Sequence, residues 1–200
     1  AMTARLVIAT GNAGKLKEIR RIFSGLDVDI VPQSDFDTPE ADETGLSFIE
    51  NAIIKARNAA AHTGLPALAD DSGMEVDALN GEPGIHSARY AGDDESNIDK
   101  LLRELDATGD AQRRARFQSV MAYVRHARDP VPLIAQGSWE GKILTRRQGE
   151  GGFGYDPVFY VPEQGCSAAE LAPDQKNAIS HRGKALSLML DQLAKIYSSR

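Results

Sequence analysis

The chain has 200 residues, of which 42% are hydrophobic and 26% are charged, values that are usual for one globular domain. Its 23 basic and 29 acidic residues give a net charge of −6, which argues against a nucleic-acid partner. A single cysteine, Cys166, excludes an internal disulfide and favours a cytoplasmic location. No apolar run approaches the roughly 20 residues needed to cross a bilayer, so we expect no membrane association. Ala1 precedes Met2 and is expected to be a cloning remnant.

The predicted elements begin with a short apolar run, "RLVIA" at residues 5–9, which indicates a buried strand. Residues 15–23 predict a helix with Gly25 as its C-terminal stop. One face of this helix carries its apolar residues: Leu16, Ile19, Ile22 and Phe23. Residues 27–31, "DVDIV", predict the second strand.

An alanine-rich segment at residues 47–62 predicts the second helix. Ser47 is its expected N-cap, and Glu50 completes a capping box. Residues 66–70, "PALAD", predict another buried strand. Residues 74–79, "MEVDAL", alternate in polarity over their first five residues and predict a further short strand, which the turn-forming sequence "NGEPG" ends.

The second half of the chain contains longer elements. Residues 96–107 have apolar side chains at helical spacing and predict an amphipathic helix. Residues 115–126 and 132–144 predict two long strands, and their short connection indicates an antiparallel hairpin. A strand at residues 156–162 and a helix at residues 185–197 complete the chain. This order predicts an α/β fold with a mixed sheet.

The segment "TGNAGK" follows the first predicted strand and has the character of a phosphate-binding turn. It is not a P-loop, because Gly11 and Gly14 are too close together and Leu16 replaces the magnesium-binding hydroxyl. A glycine turn that begins a helix still presents unpaired N–H groups to a phosphate, and Lys15 adds positive charge. The same residues also fit an ordinary strand-to-helix turn with Asn12 as N-cap and a solvated Lys15.

A group of carboxylates indicates a metal site. Asp70 and Asp71, in "ADDSG", are expected at the carboxyl end of a strand, where ligands of open α/β sheets bind. Two adjacent carboxylates repel each other, and a bound Mg²⁺ would offset that repulsion. Glu43, in the acidic turn "EADETG", could reach the same ion. The alternatives are a solvated Asx-turn for the aspartates and a charge that complements the helix dipole for Glu43.

Two later segments have the character of a base-binding site. In "GEGGFGYDPVF", glycines allow close approach to the backbone and the rings of Phe153 and Tyr155 can stack on a base. The alternative is a glycine-rich hairpin with core aromatics. The segment "KNAISHRGKAL" supplies polar donors before the last helix: Lys176, Ser180, His181 and Arg182. Its alternative is a helix start with Ser180 as the cap.

Five segments in this order resemble a known family: "TGNAGK", "ADDSG", "PGIHSARYAG", "GGFGYDPVF" and "ISHRGKAL". They are similar to the non-canonical purine nucleoside triphosphate pyrophosphatases, the inosine/xanthosine triphosphatase or Ham1-like family, and "FGYD" resembles its bacterial dITP/XTP branch. The resemblance covers nearly the whole chain. It implies one domain over residues 1–200, with an elongated mixed sheet flanked by helices, two lobes and a central active-site cleft. It also implies a homodimer.

The resemblance implies Mg²⁺-dependent hydrolysis of ITP, dITP and XTP to the monophosphate and pyrophosphate, which removes deaminated purines from the nucleotide pool. The triphosphate would contact the residues of the "TGNAGK" turn: Thr10, Gly11, Asn12, Ala13, Gly14 and Lys15. Mg²⁺ would be held by Glu43 and Asp71, with Asp70 nearby. Asp71 would also accept the proton of the attacking water. The remaining substrate contacts would come from Ser72, Phe153, Gly154, Tyr155, Asp156, Lys176, His181 and Arg182.

Two other functions also fit these residues. A non-catalytic purine nucleotide sensor would use the same groups to bind without turnover. A triphosphatase would remove only the terminal phosphate. The products formed from ITP in the presence of Mg²⁺ distinguish the three possibilities.

Overall fold

The computed structural model describes residues 3–198, so the prediction for Ala1 lies outside the described residues. The strands are β1 Arg5–Ile8, β2 Asp29–Pro32, β3 Ala67–Val76, β4 Arg114–Val124, β5 Leu133–Ile143, β6 Phe159–Val161 and β7 Cys166–Ser167. The α-helices are α1 Ala13–Ile22, α2 Phe48–Thr63, α3 Asp94–Thr108, α4 Pro173–Ile179 and α5 His181–Tyr197. Short 3₁₀ helices cover Gln33–Phe36, Asp77–Leu79, Gly84–Arg89, Asp156–Val158 and Ala168–Glu170. Among the described residues, no helix is both long enough and apolar enough to cross a membrane.

The strands form one sheet in the order β2-β1-β3-β4-β5-β6-β7. Strand β1 pairs in parallel with β2, where Arg5 lies opposite Asp29, and with β3, where Val7 lies opposite Ala67. Strand β6 pairs antiparallel with both β5 and β7. The consecutive strands β4 and β5 are neighbours, as a hairpin requires. The predicted α/β fold with a mixed sheet is confirmed.

The chain divides into two compact units. Unit 1 comprises the described residues of three segments: Ala1–Asp71, Val120–Gln136 and Ala185–Arg200. Unit 2 comprises two segments: Ser72–Ser119 and Gly137–Lys184. Each unit has its own hydrophobic core.

Strand β1 is buried on both of its faces in unit 1. Leu6 and Ile8 belong to one cluster, together with Phe23 and Leu186 beside the sheet. Val7 belongs to a second cluster, which includes four buried alanines of α2: Ala52, Ala56, Ala59 and Ala60. Burial on both faces explains why "RLVIA" is a continuous apolar run and does not alternate in polarity.

Unit 2 has a core built from α3 and the aromatic residues of the sheet. The helix contributes Ile98, Leu101 and Leu105, which are at most 3% exposed. The rings of Phe117 and Phe159 lie 4.5 Å apart between their centroids in a tilted arrangement, which is favourable for aromatic pairs. This core supports the strands and loops that carry the predicted base-binding residues.

The predicted break in the strand around "ADDSG" is wrong. Strand β3 runs without interruption from Ala67 to Val76, so Asp70 and Asp71 lie within a strand and not at its carboxyl end. In the strand order β3 lies between β1 and β4, and its pairing with β1 covers Ala67 and Leu68, just before the two aspartates. Its place inside the sheet outweighs the turn preference of Asp-Asp-Ser-Gly. The strand predicted at residues 74–79 is also too long, because its last three residues form the 3₁₀ helix Asp77–Leu79.

The C-terminal region contains more helix than the sequence predicts. Helix α4 is not predicted, and α5 begins at His181, four residues before the expected start. Ser180 Oγ accepts a hydrogen bond from Gly183 N at 3.0 Å, as expected for a capping serine. A Cβ on Gly183 would lie 1.8 Å from Asn177 O, so only glycine fits where α4 meets α5. The close contact places His181 and Arg182 in the first turn of α5.

Candidate active site

The "TGNAGK" turn connects β1 to α1 in unit 1. Asn12 is the N-cap, since its side-chain oxygen accepts a hydrogen bond from Lys15 N at 3.0 Å. The Thr10 hydroxyl accepts a hydrogen bond from Asn12 N at 3.1 Å. A Cβ on Gly14 would lie 3.2 Å from the Asn12 side-chain oxygen, so a larger residue would crowd the cap. Residues Gly11 to Gly14 are exposed, and the turn therefore offers an accessible, partly positive helix start.

Lys15 is held against the sheet and is not simply solvated. Its ammonium lies 3.2 Å from Asp70 Oδ2 and 3.5 Å from Asp70 Oδ1. The lysine side chain is 20% exposed and the aspartate side chain is 6% exposed. A partly buried ion pair therefore fixes a positive charge beside the exposed turn.

Lys55 is a member of this region that sequence reasoning missed. It lies on α2, and its ammonium is 3.3 Å from Glu43 Oε1 and 3.6 Å from Asp71 Oδ1. Burial alone would lower the pKa of Lys55, but attraction to the surrounding carboxylates outweighs this effect and raises the pKa. We call Lys15, Glu43, Lys55, Asp70 and Asp71 the carboxylate cluster. The sequence does contain a pattern that could have indicated Lys55: Asn51 and Lys55 are polar residues one turn apart in an otherwise alanine-rich helix, so they lie on the same helical face.

Asn51 connects the acidic turn to the sheet. Its side chain is 2% exposed, accepts a hydrogen bond from Gly45 N at 2.8 Å and donates one to Gly45 O at 3.4 Å. Ser47 caps α2 as predicted, with its hydroxyl accepting from Glu50 N at 3.2 Å. The Glu50 carboxylate in turn accepts from Leu46 N at 3.1 Å. These bonds determine the conformation of the turn that carries Glu43.

Asp71 is a buried carboxyl with a raised pKa. The residue is 9% exposed, and burial raises the pKa of its carboxyl to about 6. Lys55 and a hydrogen bond from Asn51 oppose this shift in pKa, whereas the negative charges of Glu43 and Asp70 reinforce it. A base with a pKa near the working pH is suited to general-base catalysis.

The carboxylates of this cluster suit Mg²⁺ only if the ion takes few protein ligands. Within residues 3–198, no three His, Cys, Asp or Glu side chains are grouped so that they could hold a metal ion. Magnesium in nucleotide sites commonly takes one or two carboxylates and completes its shell with water and phosphate oxygens. Glu43 and Asp71 lie close enough to each other for this smaller role, since both are within 3.6 Å of the Lys55 ammonium. In the described chain, the buried Asp71 Oδ2 also makes no hydrogen bond.

The predicted base-binding residues lie in unit 2, around the ring of Phe153. This ring is 50% exposed. The Lys176 ammonium lies 4.6 Å from the ring centroid and the Arg182 guanidinium carbon lies 5.2 Å from it. Arg182 also donates to the Ser72 hydroxyl at 3.4 Å. We call Ser72, Phe153, Asp156, Lys176 and Arg182 the aromatic cluster.

Asp156 holds the loop that carries Phe153. Its side chain is 5% exposed, and one carboxylate oxygen, Oδ2, accepts from Phe153 N at 3.1 Å and from Lys176 Nζ at 2.5 Å. A Cβ on Gly152 would lie 2.1 Å from this oxygen, so the loop needs glycine there. Asp156 therefore orders the loop and positions the lysine.

Two of the predicted base-binding residues, Tyr155 and His181, are buried and do not present an open surface to a base. Tyr155 is 5% exposed, and its hydroxyl donates to Ser87 O at 2.6 Å. His181 is 6% exposed and stacks on Phe117 with 4.7 Å between ring centroids. Both side chains are anchored in unit 2 beside residues of the aromatic cluster in the sequence, and their predicted contacts with a base stay predictions.

A family model and curated relatives both match this chain over most of its length. The model of the Ham1 family matches residues 6–192. A dITP/XTP pyrophosphatase of Thioalkalivibrio sulfidiphilus is 60% identical over 192 residues, which cover 94% of this chain and 98% of that protein. A dITP/XTP pyrophosphatase of Escherichia coli O157:H7 is 56% identical over the same shares of the two chains.

Solved structures agree with the sequence comparison. A HAM1 protein from Coxiella burnetii has a TM-score of 0.93 and 49% identity, and the match covers 96% of this chain and 99% of that chain. The Ham1 protein of Staphylococcus aureus has a TM-score of 0.87 and 42% identity, with the same coverage. The family model and the relatives cover nearly all of the chain, and the chain therefore belongs to the Ham1 family.

Proposed function

We propose that this chain hydrolyses deaminated purine nucleoside triphosphates, namely ITP, dITP and XTP, to the nucleoside monophosphate and pyrophosphate. The observation that carries the proposal is the buried Asp71 carboxyl, with a pKa of about 6, beside the ammonium of Lys55. A proton acceptor next to fixed positive charge suits attack of water on a phosphate ester. The names of the relatives, dITP/XTP pyrophosphatases, support the choice of substrate.

The chemical step is a displacement at the α-phosphorus. Water attacks this phosphorus, a new P–O bond forms, and the bond to the bridging oxygen breaks so that pyrophosphate leaves. Asp71 accepts the proton of the attacking water. Lys15 and the start of α1 bind phosphate oxygens, and the positive charge of Lys55 lies beside the proton acceptor.

Mg²⁺ is part of the proposal, and Glu43 and Asp71 would hold it. When bound, the ion would neutralise phosphate charge and polarise a phosphoryl oxygen. Asp71 would then have two roles that compete, because a carboxylate bound to a metal is a weaker base. Glu43 is not the proposed proton acceptor. A substitution at Glu43 therefore tests metal binding more directly than one at Asp71.

The aromatic cluster is proposed to bind the purine. The exposed ring of Phe153 offers a stacking surface, and Arg182 and Lys176 supply only hydrogen-bond donors. A 6-oxo group, as in inosine and xanthine, accepts from such donors, whereas the 6-amino group of adenine leaves a donor unpaired. Recognition of the 6-oxo group does not by itself exclude GTP.

Product analysis tests the proposal. The protein is incubated with ITP and Mg²⁺, and the products are separated by ion-exchange chromatography. IMP with pyrophosphate supports the proposed reaction. IDP with orthophosphate would identify a triphosphatase, and binding without turnover would identify a nucleotide sensor.

A homodimer and a cytoplasmic location are further parts of the proposal. The family resemblance implies the homodimer, and the single cysteine favours the cytoplasmic location. Sedimentation equilibrium tests the first, with a mass near twice 21.6 kDa as the expected result. Fractionation of the source cells tests the second.

A further inference from the structure

We call residues 149–156 the glycine loop. Two adjacent residues of this loop, Gly154 and Tyr155, form hydrogen bonds to another segment of unit 2. Gly154 N donates to Asp94 Oδ2 at 3.1 Å. The Tyr155 hydroxyl donates to Ser87 O at 2.6 Å. Both acceptors belong to residues 84–97, which we call the supporting segment. It contains most of the motif "PGIHSARYAG", for which the proposed reaction gives no role.

The supporting segment is itself fixed by buried polar groups. Asn97 is 2% exposed, and its side chain accepts from Ala91 N at 2.5 Å and donates to Ala88 O at 3.2 Å. The Ser87 hydroxyl accepts from Met74 N at 2.8 Å and donates to Gly84 O at 2.6 Å. Because these buried groups are satisfied within the segment and by the neighbouring strand, they hold the backbone of the segment from which both acceptors project.

The loop needs such external contacts at Gly154. This residue has φ +57°, in the left-handed region. Glycine adopts this conformation about as easily as a right-handed one, so the residue type alone does not determine the backbone here. A cavity of about 520 Å³ lies between the loop and the first turns of α3, so these two segments do not pack closely against each other there. The two hydrogen bonds therefore contribute more to the loop conformation than they would at a close-packed contact.

We propose that the supporting segment positions the glycine loop for the nucleobase, with Asp94 and the Tyr155 hydroxyl as its two contacts. Phe153 immediately precedes Gly154, and its ring carries the proposed stacking surface. In this proposal Asp94 acts through its hydrogen bond to Gly154, which makes it a positioning residue. This inference rests on the proposed function, since it assumes that the aromatic cluster binds the base.

Binding of two product ligands separates the base from the phosphates. Isothermal titration calorimetry with Mg²⁺ measures the Kd of IMP, which has a base, and of pyrophosphate, which has none. Asp94→Ala and Tyr155→Phe are each expected to raise the Kd of IMP by about five- to thirtyfold, the effect of one lost hydrogen bond. The Kd of pyrophosphate is expected to stay within about twofold, because Lys15 and the α1 turn are unchanged. Asp94→Asn keeps an acceptor oxygen and is expected to restore most of the affinity for IMP.

Matched controls exclude general effects of charge or of a lost hydroxyl. Glu95 has the same charge and is the next residue in the first turn of α3, and Glu95→Ala removes no hydrogen bond to the loop among the described residues. Tyr160→Phe removes a hydroxyl elsewhere in unit 2. Both controls are expected to bind IMP as the parent protein does.

The outcomes distinguish the inference from the proposed function. Unchanged affinity for IMP in both Asp94→Ala and Tyr155→Phe would overturn the positioning role. Equal weakening of IMP and pyrophosphate would also overturn it, because it would indicate a general loss of structure. A parent protein that binds neither ligand and does not hydrolyse ITP would instead contradict the proposed function.

Discussion

The Arg182 guanidinium lies over the ring of Phe153, with 5.2 Å between its central carbon and the ring centroid. Arg182 is 5% exposed, whereas Phe153 is 50% exposed. A cation over an aromatic face is attracted by the electrons of the ring. The arginine that is proposed to recognise the 6-oxo group is therefore held by the ring that is proposed to stack on the base.

Arg182→Ala is expected to reduce the preference for ITP over ATP. The guanidinium donates to a 6-oxo group but has no acceptor for a 6-amino group, so its loss affects ITP far more. We expect kcat/KM for ITP to fall by about 10² or more, with a much smaller change for ATP. Steady-state kinetics with both nucleotides measures the ratio. An unchanged ITP/ATP ratio would mean that the base is recognised elsewhere.

Phe153→Ala is expected to lower kcat/KM for ITP and for ATP together, because stacking tolerates every purine. It also removes the contact with Arg182, so the two substitutions should not be additive. A double-mutant cycle on kcat/KM for ITP is expected to give a coupling of about 0.5–1 kcal/mol. Phe153→Leu keeps an apolar side chain and serves as the control for lost burial. Full additivity would indicate that the ring does not position the guanidinium.

Local rules predicted the elements that depend on a few neighbouring residues. Helix α2 begins after Ser47, and its C-cap Gly64 has φ +69°, as capping preferences predict. Strand β1 is a buried apolar run. Each of these features is determined by a pattern within about one helix or strand, so the sequence was sufficient.

The parts that depend on distant neighbours could not be predicted. The sequence "ADDSG" favours a turn, but β3 continues through it as an interior strand of the sheet, next to β1 and β4. The role of Lys55 depends on Glu43 and Asp71, which come from a loop and a strand. The buried hydroxyl of Tyr155 likewise depends on Ser87, far away in sequence. These contacts become visible only when the sheet is assembled.

Lys15→Ala is expected to weaken substrate binding, and also to lower stability because it removes the partly buried ion pair with Asp70. The ammonium contributes a fixed charge beside the α1 turn, and a charge-assisted hydrogen bond to phosphate corresponds to about tenfold or more in affinity. We expect KM for ITP to rise by about this factor, and the difference to shrink at high salt because screening increases. Lys17→Ala, on the exposed face of the same helix, is the matched control. An unchanged kcat/KM at low salt would exclude a phosphate-binding role for the turn.

Removal of divalent ions is expected to abolish turnover, since the carboxylate cluster and the triphosphate are both negatively charged. Glu43→Gln is expected to raise the Mg²⁺ concentration that gives half-maximal activity by about tenfold, because it removes one of two anionic ligands. Titration of activity with Mg²⁺ measures this value. Glu40→Gln, in the same acidic turn, should leave it unchanged. Full turnover in excess chelator would contradict the metal proposal.

Asp71→Asn is expected to lower kcat by about 10² or more, within the range for loss of a general base. The substitution preserves the shape of the side chain but removes its charge and its basicity. Steady-state kinetics at saturating ITP and Mg²⁺ measures the effect. A variant with nearly normal kcat would remove Asp71 from the mechanism.

The same substitution is expected to stabilise the metal-free protein at neutral pH. Burial raises the pKa of the Asp71 carboxyl to about 6 in the folded state from 3.8, so ionisation of this group opposes folding. Below about pH 3 the carboxyl is largely protonated in both states and has little effect. As the pH rises from about 3 to 6, the unfolded chain releases the proton first, and the unfolding free energy falls. Above about pH 7 the full cost is present, on the order of 1–3 kcal/mol.

Denaturant unfolding in chelator at pH 4 and pH 7.5 tests the sign of this effect. Asp71→Asn should exceed the parent protein in unfolding free energy at pH 7.5, with the difference largely lost at pH 4. Asp77 is the opposite case, because its hydrogen bond to Arg116 lowers the pKa of its carboxyl. Ionised Asp77 therefore favours the folded state, and Asp77→Asn should not stabilise the protein at pH 7.5. If Asp71→Asn destabilises the metal-free protein at pH 7.5, attraction to Lys55 outweighs the burial of the charge, and the raised pKa of Asp71 is wrong.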